Sequence, residues 1–196
     1  MALPQAKEDA LRARIAGWEL PRTGFSAGAR ADALARLSAA GLPGKRDEYW
    51  RYTDPAALTA AAPATAKVFD AGDEAPVFDA IDRVKIVFTD GIFDAEASDD
   101  LTLAGVSIER LAVVQADIHW ARDLYGVLEA RGQIPVSRPL AALNTAFATD
   151  GVLIRVTGRA AKPVSLIYNH KSETSDAILH NCVKLEAGAE LTLLEN

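Results

Sequence analysis

Between Gly151 and Asn196, apolar residues fall on alternate positions in one run after another, with a small turn separating each run from the next. Val152, Ile154 and Val156 form the first run, and Val164, Leu166 and Tyr168 repeat it beyond the turn at Gly158 to Pro163. A third run, Leu179 to Leu185, and a fourth, Leu191 to Leu194, flank Ala187-Gly188-Ala189. Two-residue alternation marks a strand with one buried face. Several short strands at near-even spacing restrict the chain to a sandwich, a barrel or a β-solenoid. The last run stands directly before Asn196. An open array end leaves backbone groups unpaired, so the array is expected to be a piece of a longer one or to be completed by a partner.

Upstream the period changes. Leu11, Ile15 and Trp18 recur at helical spacing behind Pro4, which predicts a helix of about four turns. Pro21 to Gly24 ends it, Ser26 is placed to cap a second helix with Ala33, Leu34 and Leu37 on one face, and Gly41 fits its C-terminus. Asp54-Pro55 opens a short helix over Ala56 to Ala61, and 63–76 reads as a linker rich in Ala, Pro, Gly and Asp. Val84, Ile86 and Phe88 alternate into Asp90-Gly91 with Ile92-Phe93 beyond, the pattern of a hairpin. Leu101, Leu103, Val106 and Ile108 predict a further strand or pair of strands. Glu109 to Arg131 reads as a helix with Trp120, Leu124, Val127 and Leu128 on one face, and Pro139 to Ala148 as another. The resulting organisation is a helical domain over 1–62, a linker over 63–80, a mixed strand and helix segment over 81–150, and the strand array over 151–196.

The chain is 49% hydrophobic and 24% charged, the balance of a soluble globular protein, and it contains no apolar run of membrane-spanning length. Its start lacks a positive segment followed by an apolar one, so a cytoplasmic protein with no membrane segment is expected. A net charge of −6 argues against nucleic acid as the main partner. The acid is concentrated centrally: 63–100 carries ten acidic and three basic side chains, whereas 1–62 carries seven and nine. That distribution suits a solvated connection.

Phosphate-binding glycine loops, nucleophile elbows and paired-cysteine metal motifs are missing from the sequence. His119, His170 and His180 form no ligand spacing. Cys182 shares a strand face with Ile178 and His180, which leaves two readings: a small core hydrophobe, or a thiolate ligand for iron or zinc helped by His180. Asp94, Glu96, Asp99 and Asp100 imitate a cation loop but lack its spacing and central glycine. Glu186, Glu190 and Glu195 lie near turns and build no catalytic row. The most unusual stretch is Tyr49-Trp50-Arg51-Tyr52, three aromatics in four residues, read as an anchor for packing or for a partner.

Three stretches together resemble the SufB/SufD family of the Suf iron–sulfur cluster assembly system, and its SufD branch in particular. They are Lys45-Arg46-Asp47-Glu48-Tyr49-Trp50-Arg51-Tyr52-Thr53-Asp54, Leu143-Asn144-Thr145-Ala146-Phe147-Ala148-Thr149-Asp150-Gly151, and Leu185-Glu186-Ala187-Gly188-Ala189-Glu190-Leu191-Thr192-Leu193-Leu194-Glu195. The resemblance spans nearly the whole chain and is similar to the first half of the family. It implies an α+β fold, with a helical N-terminal domain followed by the first coils of a right-handed parallel β-helix. It further implies a non-catalytic scaffold subunit acting with SufB and SufC, with ATP hydrolysis in SufC and the iron–sulfur cluster held by the complete complex rather than by this segment. No cluster ligand of the family carries over onto Cys182 or His180. A homodimer is a further partner assembly beside SufB and SufC, and a β-solenoid enzyme acting on polysaccharide or a stand-alone protein-interaction module are the alternative functions.

Overall fold

A computed structural model describes residues 4–68, 77–114 and 116–196. The chain is α+β, with helices and two mixed sheets, and it divides into two compact units. The first unit comprises Met1–Ala64 and Gln115–Ala148, and the second comprises Thr65–Val114 and Thr149–Asn196. The segment read as one piece over 81–150 is therefore shared out, its helical part lying with the N-terminal helices and its strands with the array. Part of the expected linker, 69–76, lies outside the described residues. No described helix is long and apolar enough to cross a membrane.

In the first unit, α1 (Gln5–Arg14) is shorter than the predicted four turns. Gly17 adopts φ +81° beyond its end, so Trp18 leaves the helix and packs edge-on against Phe147 at 5.4 Å. Helix α2 (Ala27–Ala40) starts at Ser26 and stops at Gly41, whose φ of +68° suits glycine, with Ala33 and Leu37 fully buried. The Ser26 hydroxyl caps no amide; it accepts instead from Arg30 Nε at 3.0 Å. A 3-10 turn over Glu48–Trp50 leads to α3 (Ala56–Thr59), where Asp54 Oδ1 accepts from the Ala56 amide at 3.0 Å.

The helix expected over Glu109 to Arg131 does not form. Ile108, Glu109 and Arg110 complete a strand. Further along, the His119 imidazole accepts from the Ala121 amide at 3.2 Å to open a 3-10 turn over Trp120–Asp123. Gly126 at φ +73° then breaks the path, leaving only α4 (Val127–Arg131) helical, and Leu128 is exposed rather than on a buried face. Helix α5 (Pro139–Phe147) forms as predicted and buries Ala142, Leu143, Ala146 and Phe147.

In the second unit, β1 (Val84–Thr89) and β2 (Ile92–Phe93) make the expected hairpin through Asp90 and Gly91, at φ +52° and +79°. A Cβ on Gly91 would stand 2.8 Å from Ala177 Cα, so glycine is required by space as well as by φ. The remaining strands are β3 (Val106–Arg110), β4 (Val152–Val156), β5 (Val164–Asn169), β6 (Cys182–Leu185) and β7 (Leu193–Glu195). Leu103 and Leu179, expected inside strands, make only single bridges, to Val106 and Asp150.

One sheet runs β2-β1-β5-β7 and the other β3-β4-β6. From β4 onward the chain alternates between them, and the pairs β1–β5, β5–β7 and β4–β6 are all parallel. Val164 faces Leu193 and Leu153 faces Cys182, an offset of 29 residues in both sheets. Ile86, Phe88, Val152, Ile154, Val156, Val164 and Leu166 form one core cluster, which accounts for the alternation seen in the sequence.

Candidate functional site

Cys182 stands on the same face of the sheet as Leu153 and is 5% exposed. Burial pushes its thiol up to about 11, so the thiolate that would ligate iron or zinc is disfavoured near neutral pH. The His180 backbone is fastened to the preceding layer, its amide donating to the Asp150 carbonyl at 3.0 Å. Gly151, at φ +147°, passes so close that a Cβ there would overlap the His180 carbonyl. Among the described residues no group of three His, Cys, Asp or Glu side chains is placed to hold a metal ion.

The acidic residues are occupied in the same way. Asp94 accepts from the Ala97 amide and from Thr89 Oγ1, both at 3.1 Å, Asp99 from the Lys85 amide at 2.8 Å, and Asp100 from the Thr102 amide at 2.9 Å. Asp94 and Asp100 close local turns, whereas Asp99 reaches across to the β1 backbone. Those bonds hold Asp94 and Asp100 below the usual carboxylate range. Glu186 pairs with Arg155 at 2.8 Å, Glu190 with Arg159 at 3.4 Å, and Glu195 accepts from the Tyr168 hydroxyl at 2.8 Å.

Two networks that sequence reasoning missed hold the layers of strands together. Asp150, 4% exposed, forms an ion pair with Arg110 and accepts from the amides of Ala112 at 3.1 Å and Gly151 at 2.9 Å. Arg110 also lies over the Phe93 ring at 4.1 Å. In the second network the Val152 amide donates to Asn181 Oδ1, and Asn181 Nδ2 donates to the Tyr168 hydroxyl, each at 2.9 Å. Burial, and next its bond to Glu195, push the Tyr168 hydroxyl up to about 12. For the Asn181 network the sequence signal is a polar residue interrupting an apolar run, whereas the Asp150–Arg110 pair leaves none.

The aromatic stretch takes a different position. Tyr49 is 53% exposed and Tyr52 is 91% exposed, while Trp50 is half-buried. Arg138 Nη2 donates to the Tyr49 hydroxyl at 2.9 Å and its guanidinium lies 4.9 Å from that ring; Arg51 lies 5.6 Å from the Tyr52 ring. Beside Tyr49 and Trp50 is a depression of about 220 Å³, walled by Gly41, Pro43, Val136 and Pro139. Like Glu96, Asp99, Asp100, His170, Glu190 and Glu195, the tyrosines of this segment are presented on a surface.

Comparison of the chain with family models and with curated proteins returns no match.

Proposed function

We propose that the chain is a SufD-like scaffold or accessory subunit that acts with SufB and SufC in iron–sulfur cluster assembly in the cytoplasm, and that its strands are the opening coils of a right-handed parallel β-helix. The observation that carries this reading is the 29-residue offset shared by both sheets. A chain that visits one sheet, then the other, and meets itself again in register after a fixed interval climbs one layer per circuit. Right-handed crossover is the strongly preferred hand for such parallel connections. Two of the stretches that carry the family resemblance fall at structural joints: Leu143 to Gly151 runs from α5 into β4, and Leu185 to Glu195 joins β6 to β7.

In this reading the cluster is cargo, made by the complete complex. ATP hydrolysis belongs to SufC, and sulfur comes from a separate cysteine desulfurase. The buried, neutral thiol of Cys182 suits a packing role, and a polysaccharide-cleaving solenoid lacks support because Glu186, Glu190 and Glu195 are each held by a partner. The exposure of Tyr52 also favours a second reading, a stand-alone interaction module. Co-expression of the complete gene product that contains this chain with SufB and affinity-tagged SufC separates the readings. The scaffold predicts retention of all three proteins on the resin. Loss of this protein from both partners sinks it, and turnover of an acidic glycan by the same preparation supports the enzyme.

A further inference from the structure

The depression beside Tyr49 and Trp50 is neutral, largely apolar and rich in spare hydrogen-bond donors. Pro43 and Pro139 stand with the two rings in its wall, and every residue that lines it belongs to the first unit. The charged side chains of the wall, Lys7 and Asp47, face one another at 3.6 Å, and Asp47 also accepts from the Gly44 amide at 2.7 Å. The wall therefore keeps neither an unpaired charge nor a free carboxylate. Arg138 donates to the Tyr49 hydroxyl at 2.9 Å and lies 4.9 Å from its ring, which fixes the ring in place. Because that hydroxyl accepts from Arg138, its own hydrogen is left over. Neither this hydrogen nor the Trp50 indole N–H meets an acceptor among the described residues.

We infer that this depression docks an uncharged, proline-rich segment of another protein in the polyproline II conformation. Its volume of about 220 Å³ has room for proline rings, which pack on exposed aromatic rings. A polyproline II backbone makes no internal hydrogen bonds, so its carbonyls are free to accept from Tyr49 and Trp50. Proline has no N–H, so the segment brings no donor that the wall must satisfy. A segment of ordinary residues would leave amides unpaired against apolar wall, and each unpaired amide costs free energy. The segment is also extended before it binds, which lowers the entropy lost on docking. An acidic or basic peptide, or a nucleic acid, finds no countercharge here, because Lys7 and Asp47 already neutralise one another. The inference stands on the depression alone and does not rest on the scaffold reading.

Selection of a random-peptide phage library against the immobilised full chain tests it. Enriched peptides are expected to share closely spaced prolines and to carry no net charge. In fluorescence anisotropy with the best synthetic peptide, Tyr49→Ala should weaken binding about tenfold. Tyr49→Phe keeps the ring and removes the donor, and should weaken it about fivefold. Tyr49 is 53% exposed, so circular dichroism and melting temperature should not move in either variant. Replacing the prolines of the peptide by alanine should abolish binding, and added salt should leave the affinity unchanged. The inference is overturned by no enrichment, by enriched peptides without proline, or by binding that both variants leave unchanged. An affinity that falls steeply with salt overturns it too, since charge would then drive the contact. A failed selection leaves the co-purification result with SufB and SufC untouched, so the two proposals fail separately.

Discussion

Leu193 stands opposite Val164 in parallel register, yet Val164 is fully buried while Leu193 is 39% exposed. The same contrast holds in the other sheet, where Ile154 is fully buried and its partner Val183 is 37% exposed. Strands β4 and β5 each have a strand on both sides, whereas β6 and β7 are the last strands of their sheets, covered by the previous layer alone. Ile154→Ala should therefore cost about 3 kcal/mol, the usual loss for emptying a closed apolar site. Val183→Ala should cost less than about 1 kcal/mol, because its side chain is already partly in water. Urea denaturation of the two variants checks this, and equal losses would place the closed core elsewhere.

Arg30 ties together the ends of two helices in the first unit. It is 3% exposed, its Nη1 donates to the carbonyls of Ala146 at 3.0 Å and Ala148 at 2.9 Å, and its guanidinium lies 5.1 Å from the Tyr125 ring. Those carbonyls belong to the unsatisfied end of α5, so the arginine acts as its cap from α2. Arg30→Ala should destabilise the helical unit by about 3 kcal/mol, since two buried acceptors lose their donor. Arg30→Lys should recover only part of the loss, because one ammonium replaces a planar fork. Thermal melts followed by near-ultraviolet circular dichroism report both.

Cys182 and Tyr168 set an alkaline limit. Both groups are neutral when protonated, and burial raises the folded thiol to about 11 and the folded hydroxyl to about 12. The unfolded chain therefore loses these protons first as pH rises. The stabilisation is fully present below the ordinary thiol and tyrosine values and declines as pH climbs through the folded ones. Stability should fall between about pH 9 and pH 12, with a shallower fall in Cys182→Ala. Native Cys182 should react slowly with a thiol reagent at neutral pH and rapidly after unfolding. Cys182→Ser should leave cluster assembly by the complete complex nearly unchanged; loss of assembly with the fold intact would assign the thiol a direct role.

Asp90 holds the 170–175 loop. Its Oδ1 accepts from the amides of Lys171 and Ser172 at 3.0 Å and from Ser175 Oγ at 2.9 Å, with His170 Nδ1 at 3.9 Å. The Ser172 bond, ahead of those from Ser175 and Lys171, holds the carboxyl below its ordinary value. The contribution is present above the unfolded carboxylate value and is lost as pH falls through the folded one. Asp90→Ala should lower the hydrogen-exchange protection factors of the Lys171 and Ser172 amides at neutral pH, and acidification below the usual carboxylate range should lower them in the unmodified chain once the intrinsic pH dependence of exchange is divided out. Unchanged exchange would mean that other contacts hold the loop.

The parts of the fold legible in the sequence are those whose pattern and surroundings agree. Val152, Ile154 and Val156 alternate because one face meets the core, and Asp90-Gly91 announces its turn because both residues must adopt positive φ. Helices α2 and α5 were readable from apolar spacing with Gly41 and Pro139 at their ends. Glu109 to Arg131 was misread because its apolar residues fit a helical period by chance, while the deciding features were non-local. Arg110 is drawn into a strand by pairing with Val152, and Gly126 sits where a Cβ would meet Thr145 Cγ2 at 3.0 Å. Of the candidate site, the aromatic stretch was visible as composition, but whether Tyr52 faced inward or outward depended on contacts that local pattern does not encode. The Asp150–Arg110 pair joins residues forty positions apart and left no local mark.

The scaffold role is tested most directly by anaerobic cluster reconstitution on SufB and SufC, with and without the complete gene product that contains this chain, followed by visible absorbance and by iron and sulfide content. Cluster yield that rises with stoichiometric addition of this protein is the expected result. A yield that is the same in its presence and absence, with all three proteins folded, would contradict the assignment to iron–sulfur cluster assembly.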